Sequence, residues 1–237
     1  MTKTELAEHI AAIREKMAAA EKAAGRAPGS VKLCAASKTQ DADTVRLSAG
    51  LGIDLFGENR VQELVEKSAA GAYLEKPLHF IGHLQTNKVK QVVGTAGVIQ
   101  SVDSARLLAA VEKEAARRGL VQDIFLEVNI GGEASKSGIA PGELDALAQQ
   151  CAGQAHIRVR GLMTVPPALA SDEENRRYFA QMRALARRLA DEHYENVRME
   201  ELSMGMSADY ENAILEGATI VRVGTAIYGA RDYGPRP

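Results

Sequence analysis

The chain alternates eight times between a short apolar segment and a longer amphipathic segment, and this alternation constrains its fold more than any other feature. The apolar segments are rich in β-branched residues, as is typical of buried strands. The amphipathic segments repeat apolar residues at helical spacing, as is typical of helices that cover a sheet. We therefore assign eight strands, to residues 31–37, 53–58, 78–83, 98–102, 124–130, 159–165, 199–204 and 220–227.

Repeated βα units of this kind form parallel strands joined by right-handed crossovers. Eight units in 237 residues predict a single compact (β/α)8 barrel, the TIM barrel. A helix over residues 4–24 precedes the first strand and is additional to the eight units. An open doubly wound sheet is the alternative, but it needs fewer strands, and its usual glycine-rich turn G-x-G-x-x-G does not occur. We expect one domain over residues 1–237, with residues 231–237 as a loose tail.

The composition argues against several classes of function. The sequence has 29 Lys and Arg against 31 Asp and Glu, so it has no basic excess that would favour nucleic acid. Two cysteines, Cys34 and Cys151, are too few for a disulfide framework or a cysteine-rich zinc site. His79 and His83 lie four positions apart on one strand, about 13 Å, and cannot share a metal. No segment resembles a signal peptide or a membrane span, so we expect a cytoplasmic protein that does not bind a membrane. The charge balance, the cysteine count and the histidine spacing lead us to expect no bound nucleic acid and no bound metal.

The polar residues that follow each strand are the candidates for function, because a barrel of this type places its active site at the carboxyl ends of the strands. Lys38 follows the first strand. A lysine at the mouth of an apolar core is partly desolvated, which lowers its pKa and frees the amine to attack a carbonyl group. The alternative interpretation is a surface lysine that begins a loop.

Strands seven and eight end in a pattern that is typical of phosphate binding. The segment 203–209 contains a glycine and places Ser207 at the predicted start of a helix, and Gly224 and Thr225 lie near the end of strand eight. Barrels often hold a phosphate between the loops after these two strands, on backbone N–H groups and a helix N-terminus. The alternative is that Ser207 is an ordinary helix cap and Gly224 an ordinary tight turn.

Arg222 lies in the middle of the apolar eighth strand and needs an acceptor, because arginine stays charged when it is buried. It could form a structural ion pair with Asp54, Glu127 or Glu201, or it could donate to an unprotonated ring nitrogen. A reactive Lys38, a phosphate site and a buried arginine together match the chemistry of pyridoxal 5′-phosphate (PLP).

Five segments carry specific motifs: ASKT at 36–39, FGENRVQE at 56–63, HFIGHLQTNK at 79–88, LSMGMSADY at 202–210 and RVGTAIYG at 222–229. They closely resemble the pyridoxal phosphate homeostasis protein family, and the resemblance extends over nearly the whole chain. It implies a barrel like the N-terminal domain of alanine racemase. It also implies that members bind PLP and affect vitamin B6 and amino-acid balance, without a firm catalytic reaction.

The resemblance also implies roles for individual residues. Lys38 would form a Schiff base with PLP, and Arg222 would face the pyridine nitrogen. The phosphate would contact Ser207, Gly224 and Thr225.

Other candidates keep two interpretations each. Asn59 either contacts the cofactor near its 3′-oxygen or caps the helix after strand two. Met204 and Met163 either pack on the cofactor ring or belong to the core. Arg60 and Lys88 either form a basic rim at the mouth or lie on a solvated helix face.

Two functions compete on this basis, a PLP carrier or homeostasis protein and a PLP-dependent amino-acid racemase. Racemisation needs a base on each face of the substrate, and Lys38 could supply one. In barrel racemases the other is a tyrosine presented by the β-domain of a partner subunit, and this sequence suggests no such domain. We therefore expect a monomeric carrier, with PLP-dependent apoenzymes as candidate partners. A barrel that binds a phosphate ligand non-covalently is a third class, which a colourless protein would favour.

Overall fold

The predicted eight-stranded barrel is confirmed. The computed structural model describes residues 1–229, and within them eight parallel strands close into a barrel in sequence order. The predicted loose tail, 231–237, lies outside the described residues. The strands are β1 (Lys32–Ala36), β2 (Leu55–Glu58), β3 (Leu78–Phe80), β4 (Val98–Val102), β5 (Gln122–Glu127), β6 (Ile157–Met163), β7 (Val197–Ser203) and β8 (Ile220–Val223).

One helix precedes β1, and one follows each strand, over residues 1–229. Short 3₁₀ turns, Thr86–Lys88 and Pro141–Glu143, lead into two of them. None of the helices in this range is both long and apolar enough to cross a membrane. The helices are α1 (Lys3–Ala23), α2 (Ala42–Ala49), α3 (Val61–Ala69), α4 (Val89–Val92), α5 (Ala105–Arg118), α6 (Leu144–Ala152), α7 (Asp172–Asp191), α8 (Tyr210–Leu215) and α9 (Thr225–Tyr228).

The additional helix α1 covers a part of the barrel that the helix after β8 is too short to cover. Helix α9 has only four residues, and α1 packs against α2, α8 and α9. His9 Nδ1 lies 2.9 Å from the carbonyl oxygen of Ile227 and joins α1 to α9 by a hydrogen bond. The buried face of α1 includes the apolar residues expected from the sequence, Leu6, Ile10, Ile13 and Met17.

Several strand boundaries differ from the sequence prediction. The predicted third strand, 78–83, ends at Phe80, so His83 lies beyond the strand. The predicted eighth strand, 220–227, ends at Val223, and its second half forms α9. The apolar residue Ile227 is fully buried there, so a short helix facing the core has the same composition as a strand. Helix α5 is capped by Ser104, whose hydroxyl accepts a hydrogen bond from the Leu107 N–H.

Two apolar layers result from the alternation of side chains along each strand. One lies between the barrel and the helices. The other fills the barrel interior and consists of Cys34, Leu55, Val98, Phe125, Met163 and Ile220. Because side chains two apart share a face, Cys34 places Ala36, the last residue of β1, on the inner side of the strand, toward the mouth.

Ion pairs hold the opposite, amino-terminal half of the barrel. Lys32 is the first residue of β1, and its Nζ lies 2.6 Å from Glu201 Oε1. The guanidinium groups of Arg158 and Arg160 both donate to Asp123. Lys32 is thus engaged about 20 Å along the strand from Lys38, at the end of a barrel that normally serves stability.

Strands β6 and β7 approach each other at Gly161 more closely than any side chain allows. A Cβ atom at Gly161 would lie 1.9 Å from the carbonyl oxygen of Glu201.

We expect Gly161→Ala to destabilise the protein by roughly 1–3 kcal/mol, because β7 must move away from β6. Gly142→Ala is the control, since no atom lies within 4 Å of that Cβ position, and it should change stability by less than about 0.5 kcal/mol. Denaturant unfolding measures both, and equal effects would contradict the prediction.

Candidate functional site

Lys38 lies at the carboxyl end of β1, in a tight turn that leads out of the barrel. The Gln40 N–H donates to the Ser37 carbonyl oxygen at 3.1 Å and closes this turn. Lys38 is half-buried and lines a small pocket together with Gly224 and Thr225. Three residues that the sequence singled out, from the first and the last βα unit, therefore lie around one pocket.

Ser207 connects the loop after β7 to the loop after β8. Its Oγ accepts hydrogen bonds from the N–H groups of Gly224 at 3.2 Å and Ala226 at 3.3 Å. The interpretation of Ser207 as an ordinary helix cap is wrong, because α8 begins at Tyr210 with Asp209 as its N-cap. Backbone N–H groups that converge on one oxygen atom can equally serve an oxygen of a bound anion.

Two glycines allow these loops to approach β1 and α8. Gly205 has a φ of 91°, and a Cβ atom there would lie 2.5 Å from Ala213 Cβ. A Cβ atom at Gly224 would lie 3.2 Å from the Ala36 carbonyl oxygen. The loop after β8 therefore packs directly against the end of the strand that carries Lys38.

Arg222 lies inside the barrel below this pocket and is only 4% exposed. Its Nη1 donates to Ser203 Oγ at 2.7 Å, and its Nη2 donates to the Thr164 carbonyl oxygen at 2.8 Å. Two of the three carboxylates considered as partners are engaged elsewhere, Asp54 with Arg14 and Glu201 with Lys32. Burial lowers the pKa of Arg222, yet an arginine keeps its charge in proteins.

A chain of hydrogen bonds continues from Arg222 across the barrel. Ser203 Oγ donates to Gln100 Oε1 at 2.6 Å, and Gln100 Nε2 lies 2.7 Å from His79 Nδ1. Because the amide nitrogen of Gln100 can only donate, His79 Nδ1 is the acceptor of this bond. Burial lowers the pKa of His79 to about 3, so the ring is neutral. Gln100 was not recognised in the sequence, although a glutamine inside an apolar strand indicates a buried polar site.

Glu127 is a buried carboxyl group of the same interior. It is 8% exposed, and its Oε2 has no hydrogen-bond partner among the described residues. Glu127 pairs in register with Met163, which pairs with Ser203 on the next strand. Burial raises the pKa of Glu127 to about 7, the charge of Asp103 adds to this shift, and Arg222 opposes it. The sequence alone suggests Glu127 only as an ion-pair partner for Arg222.

Asn59 directly follows β2 at the mouth of the barrel. Its Oδ1 is buried without a hydrogen-bond partner among residues 1–229. The interpretation of Asn59 as a helix cap is wrong, because Arg60 occupies the N-cap position of α3 and no side chain caps that helix. A Cβ atom at Gly82 would lie 2.2 Å from the Asn59 carbonyl oxygen, so Gly82 permits Asn59 to sit where it does.

The remaining candidate residues lie in different parts of the structure. Met163 lies in the barrel interior, whereas Met204 is fully buried in the main core between the barrel and the helices. Arg60 and Lys88 line an open groove beside the mouth, together with Asn59. Arg60 is 72% exposed and close only to Glu63 among the acidic side chains described, so the groove is solvated.

A buried cluster of charges beneath Lys38 was not recognised in the sequence. Glu58 Oε1 accepts hydrogen bonds from Ser37 Oγ at 2.6 Å, Lys67 Nζ at 2.9 Å and Tyr73 OH at 3.2 Å. Burial raises the pKa of Glu58, while Lys67 and Ser37 oppose the shift. The position of Lys67 on the inner face of a predicted helix could have indicated this cluster. A lysine is almost never fully buried unless it is paired, so a lysine on a buried face implies a partner.

Comparison with known proteins places this barrel in a family. The alanine racemase N-terminal domain family matches residues 9–232. A pyridoxal phosphate homeostasis protein of Aquifex aeolicus is 42% identical over 226 residues, which cover 95% of this chain and 98% of that protein.

Solved structures agree with this relationship. PipY of Synechococcus elongatus, solved with PLP bound, matches with a TM-score of 0.82 and 35% identity, over 94% of this chain and 100% of that one. Alanine racemase of Corynebacterium glutamicum matches with a TM-score of 0.67 and 20% identity, over 95% of this chain and 63% of that one, which shows a shared fold. The chain therefore belongs to the pyridoxal phosphate homeostasis protein family, built on the barrel of the alanine racemase N-terminal domain.

Proposed function

We propose that this protein binds PLP through a Schiff base on Lys38 and serves as a PLP carrier in vitamin B6 and amino-acid homeostasis. The observation that carries the proposal is the shared pocket of Lys38, Gly224 and Thr225, with the buried Arg222 beneath it. The PLP in the related PipY structure and the names of the curated relatives support it.

The residues around the pocket fit the chemical groups of PLP. Lys38 supplies an amine for the aldehyde, and the loops of Ser207, Gly224 and Thr225 supply hydroxyl and N–H donors for the phosphate. Arg222 supplies a permanent donor for the ring nitrogen. Asn59 Oδ1, which is buried without a hydrogen-bond partner among residues 1–229, would offer a polar atom near the 3′-oxygen.

Met204 completes the set of residues that we assign to cofactor binding. Its complete burial in the main core limits it to supporting the wall of the site.

A carrier fits this arrangement better than a racemase. Bound PLP supplies an aldehyde that condenses with amines and a ring that withdraws electrons, most strongly when the ring nitrogen is protonated. Arg222 can only donate, so it keeps the ring nitrogen unprotonated and weakens that withdrawal. A PLP-dependent amino-acid racemase remains the alternative, with Lys38 as one base.

We place the function in one barrel domain, residues 1–237, that works as a monomer in the cytoplasm. PLP-dependent apoenzymes are the proposed recipients or donors of the cofactor.

Borohydride reduction tests the proposed attachment. We expect PLP to colour the protein, and reduction followed by mass mapping should place the label on Lys38. Lys32 serves as an internal comparison, since its Nζ is held by Glu201. Label on Lys32 or Lys88 with none on Lys38 would overturn the assignment, and a colourless protein would favour a non-covalent phosphate ligand.

Ser207→Ala tests the proposed phosphate site. The change removes a hydroxyl that is bonded to two N–H groups of the loop after β8. A lost charge-assisted hydrogen bond costs about 1.5–3 kcal/mol, so PLP should bind roughly ten- to a hundredfold more weakly. Ser68→Ala is the control, because the Ser68 hydroxyl has no partner among residues 1–229. Unchanged affinity of Ser207→Ala in a PLP titration would mean that the phosphate binds elsewhere.

The turnover number with amino acids distinguishes a PLP carrier from a PLP-dependent racemase. We expect purified, PLP-loaded protein to racemise, transaminate or decarboxylate common amino acids at well below the 1–1000 per second that is roughly typical of enzymes. Chiral chromatography of alanine and other amino acids provides the measurement. A turnover number in the ordinary range that Lys38→Ala abolishes would establish the racemase instead.

A further inference from the structure

The turn that carries Lys38 contains a residue in an unfavourable backbone conformation. Thr39 has a φ of 68°, in the left-handed region. Turns with a left-handed third residue normally place glycine or asparagine there, and a β-branched threonine is an outlier. Such a conformation persists only where surrounding contacts hold it.

Two side chains of helix α3 hold this turn on either side of Lys38. Lys67 Nζ donates to the Ser37 carbonyl oxygen at 2.8 Å, the same oxygen that closes the turn with Gln40. Glu63 Oε2 accepts from the Thr39 N–H at 2.7 Å. The residues immediately before and after Lys38 are therefore both bonded to one helix.

The two side chains also hold each other. Lys67 Nζ lies 3.1 Å from Glu63 Oε2 and 2.9 Å from Glu58 Oε1. The ammonium group thus uses its three donors on the Ser37 carbonyl and two carboxylates. Lys67 is 5% exposed and Glu58 is fully buried, so these charges are shielded from water and their positions are well defined.

We propose that Glu63 and Lys67 are positioning residues, which hold the left-handed turn at Thr39 so that Lys38 faces the pocket that it shares with Gly224 and Thr225. If the Thr39 backbone returned to an ordinary negative φ, the turn would rotate. The Lys38 amine would then move away from the loops after β7 and β8. This inference rests on the proposed function, because it concerns how the chain presents Lys38 to PLP.

A double-mutant cycle tests this role. Glu63→Gln keeps the size of the side chain but weakens the acceptor for the Thr39 N–H, and we expect it to raise the Kd for PLP about tenfold. Thr39→Gly allows the left-handed turn without support. In the Thr39→Gly background, Glu63→Gln should therefore change the Kd by less than about twofold. PLP titration, followed by the absorbance of the Lys38 adduct, gives each Kd.

Glu66→Gln is the matched control. Glu66 lies on the same helix, and its carboxylate accepts a hydrogen bond from Gln62 on the protein surface. The variant makes the same change in charge and should bind PLP like the wild type. A tenfold effect of Glu63→Gln in both backgrounds, or an equal effect of Glu66→Gln, would overturn the positioning role.

Thermal unfolding and labelling distinguish the remaining outcomes. A merely structural role would lower the unfolding temperature of Glu63→Gln in parallel with its affinity, and Thr39→Gly would not rescue binding. If wild-type protein is not labelled on Lys38 by PLP and borohydride, the proposed function fails together with this inference. If it is labelled and Glu63→Gln binds normally, only the positioning role fails.

Discussion

The pairing of β1 with β8 closes the barrel, and the candidate site depends on it. Cys34 lies opposite Arg222 and Ala35 opposite Val223 in this register. The strand that leads to Lys38 is thereby fixed beside the strand that carries the buried arginine, although their residues are nearly two hundred positions apart in the sequence. A shift of this register by one residue would turn the Arg222 side chain out of the interior. The same strand pairing therefore closes the barrel and places Arg222 at the candidate site.

Buried charge is distributed unevenly along the barrel. The amino-terminal half pairs its charges directly, as in Lys32 with Glu201. Near the mouth, Arg222 is satisfied by a hydroxyl and a backbone carbonyl, and its charge is left without a direct carboxylate partner among the described residues. Neutral acceptors leave more of the field of an arginine available to a ligand than a carboxylate partner would. Stability and ligand binding are thus assigned to opposite ends of one sheet.

The sequence predicted the barrel because strand and helix periodicities are local properties, and Lys38 and Arg222 were found because charged residues stand out in apolar strands. The hydrogen bonds of Ser203, Gln100 and His79 could not be predicted, since they depend on the registers of three strands. Ser207 was placed at a helix start that actually lies at Tyr210, because a short loop and a first helical turn have similar compositions. The end of β8 was missed for a related reason, as buried apolar residues occur in both strands and short helices.

The carboxyl group of Glu127 makes the barrel interior sensitive to pH. Its pKa is about 7 in the folded protein against an ordinary value of 4.5, so the folded state binds this proton more tightly than the unfolded state. The resulting contribution to stability is complete below pH 4.5 and is lost as the pH rises to about 7. Above pH 7 the interior carries an additional negative charge, and an anion entering the mouth must overcome its repulsion or bring a proton with it. We therefore expect the affinity for anionic ligands to fall as the pH rises through about 7.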